Sequence, residues 1–300
     1  MEQNQNKKKL LSCPLCGSKK ITQFLTTNDY FFTQEEFNLD ECSNCSLVFT
    51  NPIPAPNSLS KYYETDKYLS HNSRKGSVLD IIYRMARALN IRFKYKLVSK
   101  YKKASDLLEI GSGTGDLLNY FVKKGWRATG IEPSVSARNF SVEKFGLSVF
   151  DEDKIEQLEK QSFALIMMWH VLEHVTDLNK RILQIKNLLK KNGVIVIAVP
   201  NINSPDFKFY KQYWAGLDVP RHLYHFSKES ISYLFKSHGI HLEAVYPMKL
   251  DAYYVSLLSE KYQGRRLKYL NALRSGYKSN MLAKRQKNNY SSMIFVARKN

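Results

Sequence analysis

Leu108-Glu109-Ile110-Gly111-Ser112-Gly113-Thr114-Gly115-Asp116 decides the reading of this 300-residue chain. Apolar residues run into three alternate glycines, the pattern of a strand turning tightly into a helix. Outward from it, short apolar strands are expected at 106–110, 127–132, 147–150, 163–169 and 193–200. Helical stretches begin near Gly115, Ser134, Glu152 and Asp177 between them. Such alternation implies an α/β fold, a doubly wound parallel sheet that binds its ligand at the carboxyl ends of the strands. The loop is not a dinucleotide fingerprint, because the position that needs its third glycine holds Asp116. Nor is it a triphosphate loop, since no Lys-Ser/Thr follows the glycines.

A glycine turn flanked by acids and lacking lysine suits a cationic ligand approached closely by backbone. S-adenosylmethionine (SAM), with its sulfonium and ammonium groups, is such a ligand. The second strand ends in Thr129-Gly130-Ile131-Glu132, where a carboxylate can accept from both ribose hydroxyls. On these residues, the segment from about 100 to 250 resembles the class I SAM-dependent methyltransferases, and in particular the bacterial group that includes the ubiquinone-type O-methyltransferases. Glu109, Gly111, Gly113 and Gly115, with Ser112 between them, match that family's first motif, and Glu132 matches its ribose-binding acid. The resemblance implies a Rossmann-like seven-stranded sheet, completed by a helix at 227–238 and strands at 239–248 and 292–298. It also places Asp151 or Glu152 against the adenine, and Trp169 and His170 among the cofactor contacts. About 40 residues stand between the last two strands, which the family pairs closely, so a helical insertion is expected there.

The fourth strand runs into Trp169-His170-Val171-Leu172-Glu173-His174. A helical turn here would put His170, Glu173 and His174 on one face, where they could bind metal or move protons. Local packing of the histidines is the alternative. Ubiquinone-type O-methyltransferases and small-RNA 3′-end 2′-O-methyltransferases carry Glu-x-x-Glu-His at this position, able to hold a divalent ion; this chain has His170 in place of the first Glu. After the fifth strand comes Asp218-Val-Pro-Arg221-His222-Leu-Tyr-His225-Phe-Ser227, which resembles a string in bacterial methyltransferases with an amino-terminal zinc ribbon. His222 or His225 could act as general base, and Arg221 could hold a carboxylate or phosphate of the acceptor. Phe207, Phe209, Tyr210, Tyr213 and Trp214 read as a lid or pocket wall within 204–226, or else as core. The five candidates His170, Glu173, His174, His222 and His225 therefore allow two versions of the chemistry. Either they converge on a second divalent metal, or an unaided histidine takes the proton.

All four cysteines fall in two pairs, Cys13-Pro-Leu-Cys16 and Cys42-Ser-Asn-Cys45. This spacing suits a structural Zn²⁺ held by four thiolates, with two disulfides as the alternative in an oxidising compartment. The expected organisation is a zinc ribbon over 1–50, a proline-spaced linker over 51–76 containing Tyr62, Tyr63 and Tyr68, and a methyltransferase domain over 77–300 with a basic insertion at 249–290. A basic amphipathic helix is expected at 77–103, with Ile82, Met85, Leu89, Phe93 and Leu97 at helical spacing. No internal repeat is visible.

Hydrophobic content of 43% and charged content of 24% exclude wholesale disorder. The longest apolar runs, Phe163–Trp169 and Val194–Val199, fall far short of the ~20 residues of a membrane span. With no secretory h-region behind Met1–Lys9, a cytoplasmic protein is expected. The net charge is +19, with ten basic residues against one acid over 74–103 and ten against two over 249–287. These segments read as a solvated surface, or as a peripheral contact with the anionic inner membrane face or a lipid-phosphate-linked acceptor. The expected function is SAM-dependent methylation, of oxygen in a small-molecule, glycan- or lipid-linked acceptor. RNA methylation is the alternative that the charge supports; against it, no RNA-binding motif is readable. A non-catalytic SAM-binding module is the third reading. Oligomeric state is not readable.

Overall fold

The computed structural model describes residues 7–55, 58, 60–63 and 78–299. They divide into two compact units. One takes in Met1–Glu64, His170–Arg181 and Ala198–Phe295; the other takes in Thr65–Trp169, Ile182–Ile197 and Val296–Asn300. These limits cut across the expected boundaries at 50 and 76. Residues 64–76 of the expected linker, Tyr68 among them, lie outside the described residues.

At the amino end, β1 (Lys7–Lys8) pairs with β5 (Ile53–Pro54), so these two residues of the expected extended linker are held in a ladder. Between them, β2 (Ile21–Asn28), β3 (Glu36–Cys42) and β4 (Val48–Thr50) form an antiparallel sheet. Helix α1 (Val78–Ser99) then leads into β6 (Asp106–Ile110), α2 (Asp116–Val122), β7 (Arg127–Ile131), α3 (Val135–Phe145), β8 (Ser148–Phe150) and β9 (Phe163–Trp169). The polar stretch from Glu152 makes a 3₁₀ segment, Glu152–Gln157, in place of the expected helix; Ile155 is its one buried residue, too little apolar surface to seat an α-helix. Next come α4 (Leu178–Leu188), β10 (Leu189–Pro200), α5 (Pro205–Tyr210), β11 (Tyr224–His225), α6 (Lys228–Ser237), β12 (Ile240–Pro247), helices α7 (Asp251–Tyr262) and α8 (Lys268–Arg285), and β13 (Ser292–Lys299).

Seven strands form one sheet in the order β12-β13-β10-β9-β6-β7-β8. Its pairings of β6 with β9 and β7, and of β7 with β8, are parallel. Every residue of β9, Phe-Ala-Leu-Ile-Met-Met-Trp, is buried, as a central strand covered on both faces requires. Local signals start the helices. Ser134 caps α3 by accepting from the amide of Ala137, and Ser227 and Ser230 make a reciprocal capping box at α6. The expected insertion is the pair α7 and α8. No helix among the described residues is long and apolar enough to cross a membrane.

β11 extends the amino-terminal sheet, giving the order β11-β4-β3-β2, with Tyr224 opposite Phe49 and His225 opposite Val48. The aromatic segment at 204–226 packs into that unit: Tyr210, Trp214, Leu217 and Val219 share a buried cluster with Phe37, Leu39, Val48 and Tyr62. Tyr210 and Trp214 of the expected lid are therefore core, while Phe209 is exposed. The polar edges of the two core rings are tied down too, with Trp214 Nε1 donating to buried Asp206 at 2.8 Å and Tyr210 to buried Glu260 at 2.9 Å.

Candidate functional site

The glycine loop is built by backbone geometry. Gly111, Gly113 and Gly115 all have left-handed φ, at 76°, 52° and 76°. The amides of Gly111 and Ser112 both donate to the carbonyl of Ile131, closing the loop over the end of β7. At Gly115 a Cβ would meet Leu147 at 2.7 Å and Ser141 at 2.8 Å, so this glycine is needed for packing against α3 and the residue that precedes β8. A Cβ on Gly113 meets nothing within 4 Å and would project into open space, as expected of a cradle left for a ligand. Arg87 of α1 steadies the loop, donating to Thr114 Oγ1 at 3.0 Å and Asp116 Oδ2 at 2.6 Å.

Two carboxylates frame this cradle. Glu132 accepts from the Gly113 amide at 2.7 Å through one oxygen and from the Ser134 amide at 2.9 Å through the other. Each oxygen keeps a second acceptor direction for a hydroxyl. Glu109 is buried and its Oε2 has no hydrogen-bond partner among the described residues. Burial pushes its carboxyl up to about 8; the neighbouring Glu132 charge adds to this and Lys94 opposes it. Ser112 Oγ and Trp169 Nε1 are likewise buried without partners among the described residues, and Lys94 Nζ lies 4.3 Å from the Trp169 ring centre. A buried set of unsatisfied acceptors and donors beside an open backbone cradle fits SAM. Asp151 is exposed and makes an ion pair with Arg138 at 2.7 Å.

The residues after β9 do not form the expected helical face. His170 adopts a left-handed φ of 57°, and a 3₁₀ turn, Leu172–His174, follows. His170 points its Nε2 at Asp251 of α7, 3.0 Å away, with its Nδ1 3.4 Å from Glu173. Burial opposes its charge, but these two carboxylates prevail and lift it to about 10, so it is an imidazolium at neutral pH. Glu173, His174 and His222 offer ligand atoms that all lie within 4.8 Å of one another. His174 Nδ1 donates to the Arg221 carbonyl at 3.0 Å and also lies 3.2 Å from the Tyr63 hydroxyl. His222 Nδ1 donates to the Gly216 carbonyl at 2.9 Å. Both rings are therefore fixed in the tautomer that leaves Nε2 as acceptor, the second-shell arrangement of histidine ligands. Neither Glu173 carboxylate oxygen makes a well-formed hydrogen bond among the described residues. This donor set fits a divalent cation. Burial and the neighbouring His222 lower His174 to about 4, and the same two causes lower His225 to about 3. His225 stands apart from the trio, its Nε2 3.3 Å from Thr50 Oγ1.

Arg221 is not an acceptor-binding group. It is 1% exposed and its guanidinium is shared between Asp29 at 2.8 Å and Asp218 at 2.7 Å. Asp29 and Asp251 are the partners that sequence reasoning missed, 192 and 81 residues from the groups they hold, and nothing local marks either.

The four cysteines are free thiols brought together, with Sγ–Sγ distances of 3.5 Å for Cys13–Cys45 and 3.6 Å for Cys16–Cys42. Disulfides would need about 2.05 Å. Tetrahedral zinc with ~2.3 Å bonds sets sulfurs about 3.8 Å apart. Each pair sits on a knuckle whose next residue, Gly17 at φ 71° or Ser46 at φ 57°, turns left-handed and donates to the first cysteine's carbonyl. Hydrogen bonding between the pair holds the Cys13 thiol down to about 5 and drives that of Cys45 up, while burial pushes the Cys42 thiol up. Asn179 clamps the first knuckle by donating to the carbonyls of Pro14 at 3.0 Å and Leu15 at 3.2 Å. The set fits Zn²⁺.

A family model described as a methyltransferase domain matches residues 74–245. The ubiquinone biosynthesis O-methyltransferase of Rhodopseudomonas palustris (strain TIE-1) is 29% identical over 106 residues, 34% of this chain and 42% of that protein. The chain thus spans less than half of that relative's length. The protein of the same name from Rickettsia prowazekii (strain Madrid E) is 27% identical over 182 residues, 56% of this chain and 71% of its own. Among solved structures, geranyl diphosphate C-methyltransferase from Streptomyces coelicolor A3(2), in complex with Mg²⁺, geranyl diphosphate and S-adenosyl-L-homocysteine, superposes with a TM-score of 0.54 at 12% identity. That superposition covers 82% of this chain and 99% of the other and shows the shared fold. With the family model spanning more than half of its length, this chain belongs to the methyltransferase-domain family.

Proposed function

We propose that the protein transfers the methyl group of SAM to a hydroxyl oxygen of a small-molecule, glycan- or lipid-linked acceptor. The observation that carries this reading is the buried Glu109 carboxylate, whose Oε2 has no hydrogen-bond partner among the described residues, together with the open Gly113 cradle and Glu132. Glu132 would accept from the ribose hydroxyls, and Glu109 would receive the cationic end of SAM. SAM brings an activated methyl group. The protein's task is to align the acceptor and remove one proton as the carbon–sulfur bond breaks and the carbon–oxygen bond forms, with S-adenosylhomocysteine leaving.

His170 is already protonated, and His174 and His225 are held as weak bases. His222, its Nδ1 fixed on the Gly216 carbonyl and its Nε2 4.0 Å from Asp218 Oδ2, would take the acceptor proton. In the alternative version of the same chemistry Glu173, His174 and His222 would hold a divalent cation instead, which when bound lowers the pKa of an acceptor hydroxyl. Labelled SAM incubated with fractionated cell extract tests the proposal. Label should enter a small-molecule, glycan or lipid fraction, and His222→Ala should remove at least ~100-fold of the turnover. Loss of activity in EDTA, restored by Mg²⁺ or Mn²⁺, marks the cation version; EDTA resistance marks the unaided base. Label found in RNA, or undiminished turnover in His222→Ala, overturns the proposal.

A further inference from the structure

We propose that the outer face of α8 docks on an anionic lipid bilayer. The helix is inverted relative to an ordinary amphipathic one. The residues it buries are small, Ala272, Gly276, Ser279 and Ala283, and at Gly276 a Cβ would meet Tyr253 of α7 at 2.6 Å. Its large apolar residues face out: Leu270, Leu273, Tyr277 and Met281 are 43–60% exposed. At 100° per residue these four span an arc of about 80°, roughly 130° away from the buried small-residue face. Close contact with α7 thus uses the small side, so the outward stripe is surplus to the fold of this helix pair.

Charge says what covers it. Residues 268–285 contain five cations, Lys268, Arg274, Lys278, Lys284 and Arg285, and no acid. Arg274, Lys278 and Arg285 fall in the arc adjoining the apolar stripe, within about 60° of its edge. Arg274, Lys278, Lys284 and Arg285 are exposed and make no ion pair among the described residues. An apolar strip bordered by unpaired cations, with a tyrosine in the strip, is the layout of an interfacial helix lying on acidic headgroups. A second copy of this chain suits it less well, because two-fold self-pairing would set cations against cations. RNA would satisfy the charges but leave leucine and methionine without a partner.

The proposal stands independently of methyl transfer and is tested on the full chain. Co-sedimentation with vesicles of phosphatidylglycerol and phosphatidylcholine is compared with phosphatidylcholine alone, and solution mass and binding to a generic RNA are measured alongside. Expected is binding to the anionic vesicles that weakens about 10–30-fold in Arg274→Gln/Lys278→Gln and falls comparably in Leu273→Ser/Tyr277→Ser, with unchanged melting temperatures. Equal binding to both vesicle types, or none, overturns it. So does a wild-type dimer that Leu273→Ser/Tyr277→Ser dissociates, or RNA binding that this apolar pair abolishes.

Discussion

Replacing Glu109 by glutamine should make the ligand-free protein more stable and the cofactor-bound protein weaker. The carboxyl rises from an ordinary 4.5 to about 8 on burial. Between those values the unfolded chain holds fewer protons at this position than the folded chain, so stability falls as pH rises toward 8. At about 1.4 kcal/mol per unit, the full cost approaches ~5 kcal/mol above pH 8. Glutamine removes the charge but leaves a buried amide short of partners, a penalty of about 1–3 kcal/mol. The expected net gain at pH 8.5 is therefore about 2–4 kcal/mol, or several degrees of melting temperature. At pH 5 the folded wild-type group is already protonated, and the advantage should vanish or reverse. Melts of wild type and Glu109→Gln at pH 5 and 8.5, with and without S-adenosylhomocysteine, measure both effects. Loss of a charge-assisted hydrogen bond should weaken ligand binding at least ~10-fold, read as a smaller ligand-induced shift. A variant that melts no higher than wild type at pH 8.5, or that binds as tightly, would refute the reasoning.

Arg221→Met should strand the buried Asp29 carboxylate and cost about 3–5 kcal/mol; calorimetry should show a fall of roughly 6–15 °C, and a change under 2 °C would contradict the triad's assigned role. Metal analysis of reduced protein should find one zinc per chain. Chelation or Cys16→Ser should lower the melting temperature, and a metal-free protein of unchanged stability would remove the zinc assignment.

What the sequence made legible was local. Strands at 106–110 and 163–169 are apolar runs closed by glycine or by a polar turn, and both were observed as Asp106–Ile110 and Phe163–Trp169. The glycine loop is equally local, because its three left-handed residues determine its path whatever surrounds it. The Glu152 helix failed because Glu-Asp-Lys-Ile-Glu-Gln buries one apolar side chain. Composition could not separate a pocket wall from a core for Tyr210 and Trp214. The deciding neighbours, Phe37 and Leu39, lie more than 170 residues away. Histidine spacing suggested a helical face at His170, Glu173 and His174; the structure exchanges His170 for His222 in the ligand trio and gives His170 to Asp251. Long-range charge partners such as Asp29 and Asp251 leave no mark on a sequence read one window at a time.

The pairing of β11 with β4 has a consequence for biosynthesis. Thr50 makes its backbone bond to Leu223 and its side-chain contact with His225 across 175 residues of chain. At about 5–20 residues per second, a ribosome takes some 10–35 s to supply them. A cysteine sheet that folds during that interval would have β4 as a bare edge, able to template pairing with another chain. Early capture of metal would hold the nascent sheet in shape while its last strand is still being translated.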